Sequence, residues 1–202
     1  MDAAILAGGR ARRLGGQDKR ALRVGPATIL ERQLAALEGL VDRVFVVGGE
    51  LTPAGSAGLL VVPDRLPHAG ALGGLYTALS EAAGPHVLVV ACDLPFVTTP
   101  FLARLIGLAS DDCDAVVPRS TDGPQPLCAV YARRLAEDVR RRIESGRLKV
   151  QDLFETIRVR ELGPAEVAAF DPDGRLFFNV NTPDDLARAG RLSSDTDRRA
   201  GR

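Results

Sequence analysis

Val87-Leu88-Val89-Val90-Ala91-Cys92-Asp93-Leu94-Pro95 is the stretch that decides the fold. Its consecutive apolar residues, three of them valine, suit a strand covered on both faces rather than one half-open to water. The chain around it alternates in keeping with that. Upstream, Ala3 to Leu6 is a short apolar run ended by Gly8-Gly9, and Val44 to Val47 and Leu59 to Val62 are β-branched-rich runs bounded by Gly or Pro. Downstream, Ala115 to Val117, Leu127 to Tyr131 and Ile157 to Glu161 are weaker strand candidates.

Helical stretches lie between these runs, with recognisable starts. Thr28-Ile29-Leu30-Glu31 is a capping box, followed by Leu30, Leu34 and Leu37 at helical spacing. Thr99-Pro100 opens a helix with proline where its missing N–H costs nothing. Thr182-Pro183-Asp184-Asp185 opens another, with two acids favourable at a helix N-terminus. Leu75 to Ala83 and Arg133 to Ser145 fill the remaining helical slots. The alternation predicts an α/β fold of three layers around a mostly parallel sheet. Ligands in such sheets sit beyond the carboxyl ends of the strands. That puts Gly8, Gly48, Asp64 and Asp93 at one rim, since each follows a candidate strand.

Composition agrees. At 202 residues with 46% apolar side chains, one domain over residues 1–190 is expected. Residues 191–202 hold a single apolar side chain larger than alanine, Leu192, and are expected to be a disordered tail. The 26 basic and 26 acidic residues cancel, which argues against a broad nucleic-acid surface. No apolar run approaches the ~20 residues of a membrane span, and the start is too short for a signal peptide. A cytoplasmic protein without membrane attachment is expected. Cys92, Cys113 and Cys128 form no C-x-x-C pair and, with only His68 and His86 present, read as small reduced apolar side chains rather than a zinc site.

The neutral total conceals one concentrated charge. After the first strand comes Leu6-Ala7-Gly8-Gly9-Arg10-Ala11-Arg12-Arg13-Leu14-Gly15-Gly16-Gln17-Asp18-Lys19. Between positions 10 and 23 there are six basic side chains and one acid, a local charge of +5 that leaves −5 for the rest. Four glycines let backbone amides turn toward an anion, so the loop reads either as a triphosphate cradle or as a solvated basic turn. The spacing matches neither G-x-x-x-x-G-K-[ST] nor G-x-G-x-x-G. Lys19, one of only two lysines, favours the cradle, because an ammonium is a compact charge for bridging phosphates.

These residues resemble the signature loop of the molybdenum cofactor guanylyltransferases, in Leu6 to Arg10, Arg13, Gly15-Gly16 and Asp18-Lys19. The likeness continues in order through Val62-Pro63-Asp64, Gly70-Ala71-Leu72-Gly73-Gly74, Ala91-Cys92-Asp93-Leu94-Pro95, Gln125 to Tyr131 and Phe178-Asn179-Val180-Asn181-Thr182-Pro183. It implies a Rossmann-like, glycosyltransferase-A-like nucleotidyltransferase fold and transfer of GMP from GTP to molybdopterin with release of pyrophosphate. Lys19, Arg13 and Asp93 would be catalytic. Leu6, Ala7, Gly8, Gly9, Arg10, Lys19, Asp64, Gly73, Asp93, Asn179 and Asn181 would line the ligands, and Asp93 would hold Mg²⁺. Transient contact with molybdoenzymes or cofactor-handling proteins is implied as well.

Spacing alone leaves several of these residues open. Asp93 can equally be a turn-former or helix cap, Asp64 a turn aspartate paired with Arg65, and Gly70 to Gly74 a tight start to a helix. Asn179 and Asn181 would point to one side of an extended segment, but Asn181 can also be a turn residue with Thr182 as the cap. The chain departs from some family members at Gly48, where they carry an asparagine, and in Leu22 to Pro26, read as a loop or edge-strand difference. Gly48 offers backbone groups only, so a molybdopterin cytidylyltransferase or another small-acceptor nucleotidyltransferase stays an alternative. The Ala7-Gly8-Gly9 start and Gly16-Gln17-Asp18-Lys19 favour the guanylyl branch. A non-catalytic nucleotide- or cofactor-binding chaperone is the alternative from a different class.

Overall fold

The computed structural model describes residues 1–7, 21–48 and 59–200. In chain order the elements are β1 (Asp2–Leu6), β2 (Arg23–Val24), β3 (Ala27–Thr28), α1 (Ile29–Leu37), β4 (Arg43–Val47), β5 (Leu60–Val62), α2 (Gly70–Glu81), β6 (His86–Ala91), α3 (Thr99–Gly107) and β7 (Ala115–Ser120). They continue with β8 (Gly123–Pro124), β9 (Cys128–Ala132), α4 (Ala136–Glu144), β10 (Val159–Leu162), α5 (Pro164–Ala168) and α6 (Pro183–Ala200). The main sheet runs β10-β7-β9-β6-β1-β4-β5, with β8 hairpinned onto β7. β5, β4, β1 and β6 are parallel neighbours, as are β7 and β10, whereas β9 lies antiparallel to both β6 and β7. The sheet is therefore mostly parallel, as expected, with β9 reversed at its centre.

Alternation along the strands divides the core into two layers. Ala3, Ile5, Leu88 and Val90 pack with Leu30, Leu37, Phe101, Leu102 and Leu105 from α1 and α3. Ala4, Leu6, Val87 and Val89 face the other way, onto Leu72, Leu75, Leu79 and Val139 from α2 and α4. β1 and β6 are buried at every position, which explains why β6 reads as a continuous apolar run. Cys92 and Cys128 belong to the core, and burial pushes the Cys128 thiol up to about 12.

A third, smaller core lies beside the sheet. Leu22, Val24 and Ile29 from the β2–β3 hairpin meet Phe96, Val180 and Ala189. The Leu22 to Pro26 variation is thus an independent hairpin, with Gly25 at its turn (φ +68°). α6 runs from Pro183 to Ala200, so the expected tail begins inside a helix. Leu186 and Leu192 of α6 pack against this third core. Ala189 and Ser193 are buried against the hairpin, and Arg32 Nη2 donates to Ser193 Oγ at 2.5 Å. A Cβ on Gly25 would lie 2.6 Å from Ser193 Oγ, so glycine there serves both the turn and the seat of α6.

Candidate active site

Parallel strands bring their carboxyl ends to one edge, and here those ends are tied together. Ala7 N donates to Val47 O (2.9 Å), Gly48 N to Val62 O (2.9 Å) and Cys92 N to Leu6 O (3.1 Å). The rim thus consists of Ala7, Gly48, Pro63-Asp64 and Cys92-Asp93, as the order of elements predicts. Gly48 has a φ of +77°, a conformation that glycine and asparagine adopt more readily than other residues. The departure from asparagine therefore preserves the backbone and removes only a side chain. Gly8, Gly9, Arg10, Arg13 and Lys19 lie outside the described residues.

Asp93 sits half-buried in a turn closed by Leu94 N donating to Ala91 O at 3.3 Å. Its own carbonyl accepts from Val180 N at 3.0 Å. That single bond joins segments far apart in sequence and lays the stretch 179–181 along the Asp93 turn. Val180 is fully buried, and Asn179 and Asn181 on either side are exposed, as two residues flanking an inward one on an extended segment must be. The cap reading of Thr182 also holds. Thr182 Oγ1 accepts from Asp185 N (3.1 Å), while Asp185 Oδ2 accepts from the amides of Asn181 (3.0 Å) and Thr182 (2.9 Å). Hydrogen bonding, first from the Asn181 amide, holds the Asp185 carboxyl below the usual carboxylate range. The α6 cap thereby fixes the strap that carries both asparagines.

Asp64 ends the β5 side of the rim, and Arg65 is not its partner: Arg65 Nη2 pairs with Glu81 at 2.9 Å. Asp64 Oδ1 accepts instead from Leu66 N (3.0 Å) and Thr77 Oγ1 (3.1 Å), binding the loop to α2. Its second oxygen faces the start of α2, where a Cβ on Gly73 would come within 3.3 Å of Oδ2 and 2.7 Å of Leu66 O. The glycine-rich turn is therefore a tight approach of helix to loop, and it presses directly on the second rim carboxylate. Gly74 fits against the Leu6 side chain.

A cleft of about 490 Å³ is lined among others by Ser120, Asp122, Gln125, Asp171, Phe177 and Asn179. Gln125 Nε2 donates to Ser120 Oγ at 2.9 Å, which bridges the β7–β8 hairpin. The structure thus brings Gln125 and Asn179 into one concavity, and Asn179 adjoins Val180, whose amide is bonded to Asp93 O. Two features escape a reading of the sequence. Arg147 and Lys149 are exposed in the loop that follows α4. The scarcity of lysine that singles out Lys19 singles out Lys149 equally. Gln33 of α1, 1% exposed, donates to the carbonyls of Ala91 and Leu94, and no motif marks it.

Comparison with known proteins agrees with this geometry. Residues 3–161 match the model of the MobA-like NTP transferase domain. A probable molybdenum cofactor guanylyltransferase of Pelotomaculum thermopropionicum is 37% identical over 198 residues, covering 98% of this chain and 95% of that protein. The molybdenum cofactor guanylyltransferase of Desulfosudis oleivorans is 33% identical over 94% of this chain and 96% of its own length. Among solved structures, molybdopterin-guanine dinucleotide biosynthesis protein A of Archaeoglobus fulgidus superposes with a TM-score of 0.80 at 29% identity, covering 96% of this chain and all of that one. With a carboxylate turn and an asparagine strap at the carboxyl rim of such a sheet, the chain belongs to the MobA-like NTP transferase family and is a nucleotidyltransferase.

Proposed function

We propose that this chain transfers the GMP unit of GTP to the terminal phosphate of molybdopterin, or of its molybdenum-loaded form, and releases pyrophosphate. The observation that carries the reading is the Val180 N to Asp93 O hydrogen bond. It joins the segment that carries Asn179 and Asn181 to the turn that carries Asp93, and Asn179 in turn lines the cleft with Gln125.

An oxygen of the acceptor phosphate forms a bond to the α-phosphorus of GTP. The bond from that phosphorus to the α–β bridging oxygen breaks, and pyrophosphate leaves with the electron pair. The acceptor is already anionic, so no side chain need remove a proton. Catalysis then rests on positioning and charge stabilisation. Backbone amides from Ala7 to Gly9, with Arg10 and Arg13, hold the phosphates. Lys19 neutralises charge on the α-phosphate and the departing pyrophosphate. Asp64 and Gly73 border the nucleotide, and Asn179 and Asn181 border the acceptor or the metal.

The residues present fit Mg²⁺ in the manner usual for phosphate substrates. Among the described residues no three His, Cys, Asp or Glu side chains converge, and a hard cation bound through one carboxylate and substrate oxygens needs no more. Asp93 would hold it, and when bound it offsets phosphate charge during transfer.

The test is a nucleotide panel. GTP, CTP and ATP are each incubated with molybdopterin, Mg²⁺ and the protein, and the dinucleotide and pyrophosphate are quantified. GTP should be used in preference to CTP. Asp93→Ala should abolish turnover with the fold intact, and Lys19→Ala should reduce it by about a hundredfold or more, in the range of other lost transition-state contacts. Normal guanylyl transfer by both variants would overturn the site, and preference for CTP would overturn the substrate.

A further inference from the structure

The Asp93 turn is clamped from beneath by a side chain on a different element. Gln33 lies on α1, and both protons of its carboxamide are used on this turn: Nε2 donates to Ala91 O at 2.7 Å and to Leu94 O at 3.1 Å. Those carbonyls are the first and last of the four-residue turn Ala91-Cys92-Asp93-Leu94. The backbone between them is held as well, by Cys92 N on Leu6 O and Val180 N on Asp93 O. The amide gives up something to do this. Its Oε1 is buried and has no hydrogen-bond partner among the described residues. A methionine or leucine would fill much the same space without stranding an acceptor, so packing alone does not account for glutamine here.

We infer that Gln33 is a positioning residue for Asp93, setting the direction in which the carboxylate meets a divalent cation. The inference rests on the reading of Asp93 as the metal-holding group. Gln33 touches neither substrate nor metal and acts only through the turn. Groups that orient a metal ligand commonly change metal affinity by ~10–100-fold when removed. Gln33 acts on the ligand's backbone, which places it at the lower end of that range.

The experiment measures Mn²⁺ binding by electron paramagnetic resonance, with the full chain and GTP carrying a methylene between the α- and β-phosphorus so that no turnover occurs. Gln33→Met should weaken Mn²⁺ by about tenfold, leave the metal-free affinity for the analogue unchanged, and leave the chain folded. Gln33→Glu, which turns an oxygen toward both carbonyls, should weaken Mn²⁺ at least as much. In an Asp93→Asn background Gln33→Met should change Mn²⁺ affinity less than about twofold, because the group it acts through is gone. Mn²⁺ binding lost in Asp93→Asn but unchanged in both Gln33 variants overturns this inference alone. Binding unchanged in Asp93→Asn overturns the Asp93 reading and this inference with it. Failure of both Gln33 variants to fold also overturns it, since Gln33 would then be a core residue.

Discussion

Gly73→Ala tests whether the second glycine-rich turn is built around Asp64. The new Cβ would stand 2.7 Å from Leu66 O, 3.1 Å from Ala69 Cβ and 3.3 Å from Asp64 Oδ2. The first distance is about 0.6 Å inside even a close C–H···O contact of ~3.3 Å. Leu66 O cannot swing aside freely, because it accepts from Ala69 N at 3.2 Å, and Leu66 N is bound to Asp64 Oδ1. The helix must therefore back away from the loop. Overpacking of this kind costs about 1–3 kcal/mol, and alanine's better helix propensity returns about 1 kcal/mol. Because the atom struck is fixed backbone, the cost lies in the upper part of that range, about 2–3 kcal/mol, and the net loss is about 1–2 kcal/mol, a fall in Tm of roughly 4 °C for a chain of this size.

Gly74→Ala is the matched control. Its Cβ would first meet Leu6 Cδ1 at 3.4 Å, the tip of a side chain that can adjust, so propensity should dominate. Its Tm should hold or rise by about 2 °C. Calorimetry gives both values, and steady-state kinetics with GTP gives the functional half. Gly73→Ala should raise the KM for GTP more than it lowers kcat, because it displaces the carboxylate proposed to border the nucleotide. A Gly73→Ala variant as stable as wild type, or indistinguishable from Gly74→Ala in both measurements, would refute the argument.

Asp114 contributes to the pH dependence of stability. The Arg158 guanidinium, with help from Arg134, holds its carboxyl down at about 2, and folding therefore gains from this pair above the unfolded value near 3.9. That gain is lost as pH falls through about 2. With both arginines partly exposed it amounts to about 1–2 kcal/mol, so Asp114→Asn should lower Tm at pH 7 and converge on wild type in acid-unfolding curves near pH 2. Gly25→Ala combines a left-handed φ with a Cβ 2.6 Å from Ser193 Oγ, and should cost about 2–4 kcal/mol in urea unfolding. Adding Ser193→Ala should recover part of the steric share.

Much of the frame is written in local pattern. The capping box of Thr28 and Glu31 forms reciprocally, Thr182 and Asp185 do the same for α6, and the buried run before Asp93 is the central strand beside β1. Rim placement of Asp64 and Asp93 follows from order alone, because a carboxylate after a parallel strand has only one end of the sheet to occupy. What local pattern cannot carry is direction and distance. Cys128–Ala132 is as apolar as a parallel strand, and nothing in its side chains states that it runs backward. The α6 contact adds the small residues Ala189 and Ser193 to Leu186 and Leu192, and the small pair carries no strong hydropathy signal.

The same limit explains why the site was only partly legible. The Asp93 turn is held by bonds to its backbone, one from Val180 N to Asp93 O, two from Gln33 to Ala91 O and Leu94 O, and one from Cys92 N to Leu6 O. None depends on the identity of residue 93. A motif records the carboxylate, whereas its aim is set by three distant segments whose contributions are, in two cases, main-chain groups that any residue would supply. Among these described contacts Gln33 is the one that contributes a side chain, so substitution there can separate the aim of the carboxylate from its presence. Positions 180 and 6 can be altered in packing without removing the bond itself, which makes proline at 180 the one simple change that deletes it. Val180→Pro removes the donor to Asp93 O, while leaving both asparagines in the sequence. Loss of acceptor use in that variant, with GTP binding retained, is the outcome expected if the strap serves the cleft side of Asp93.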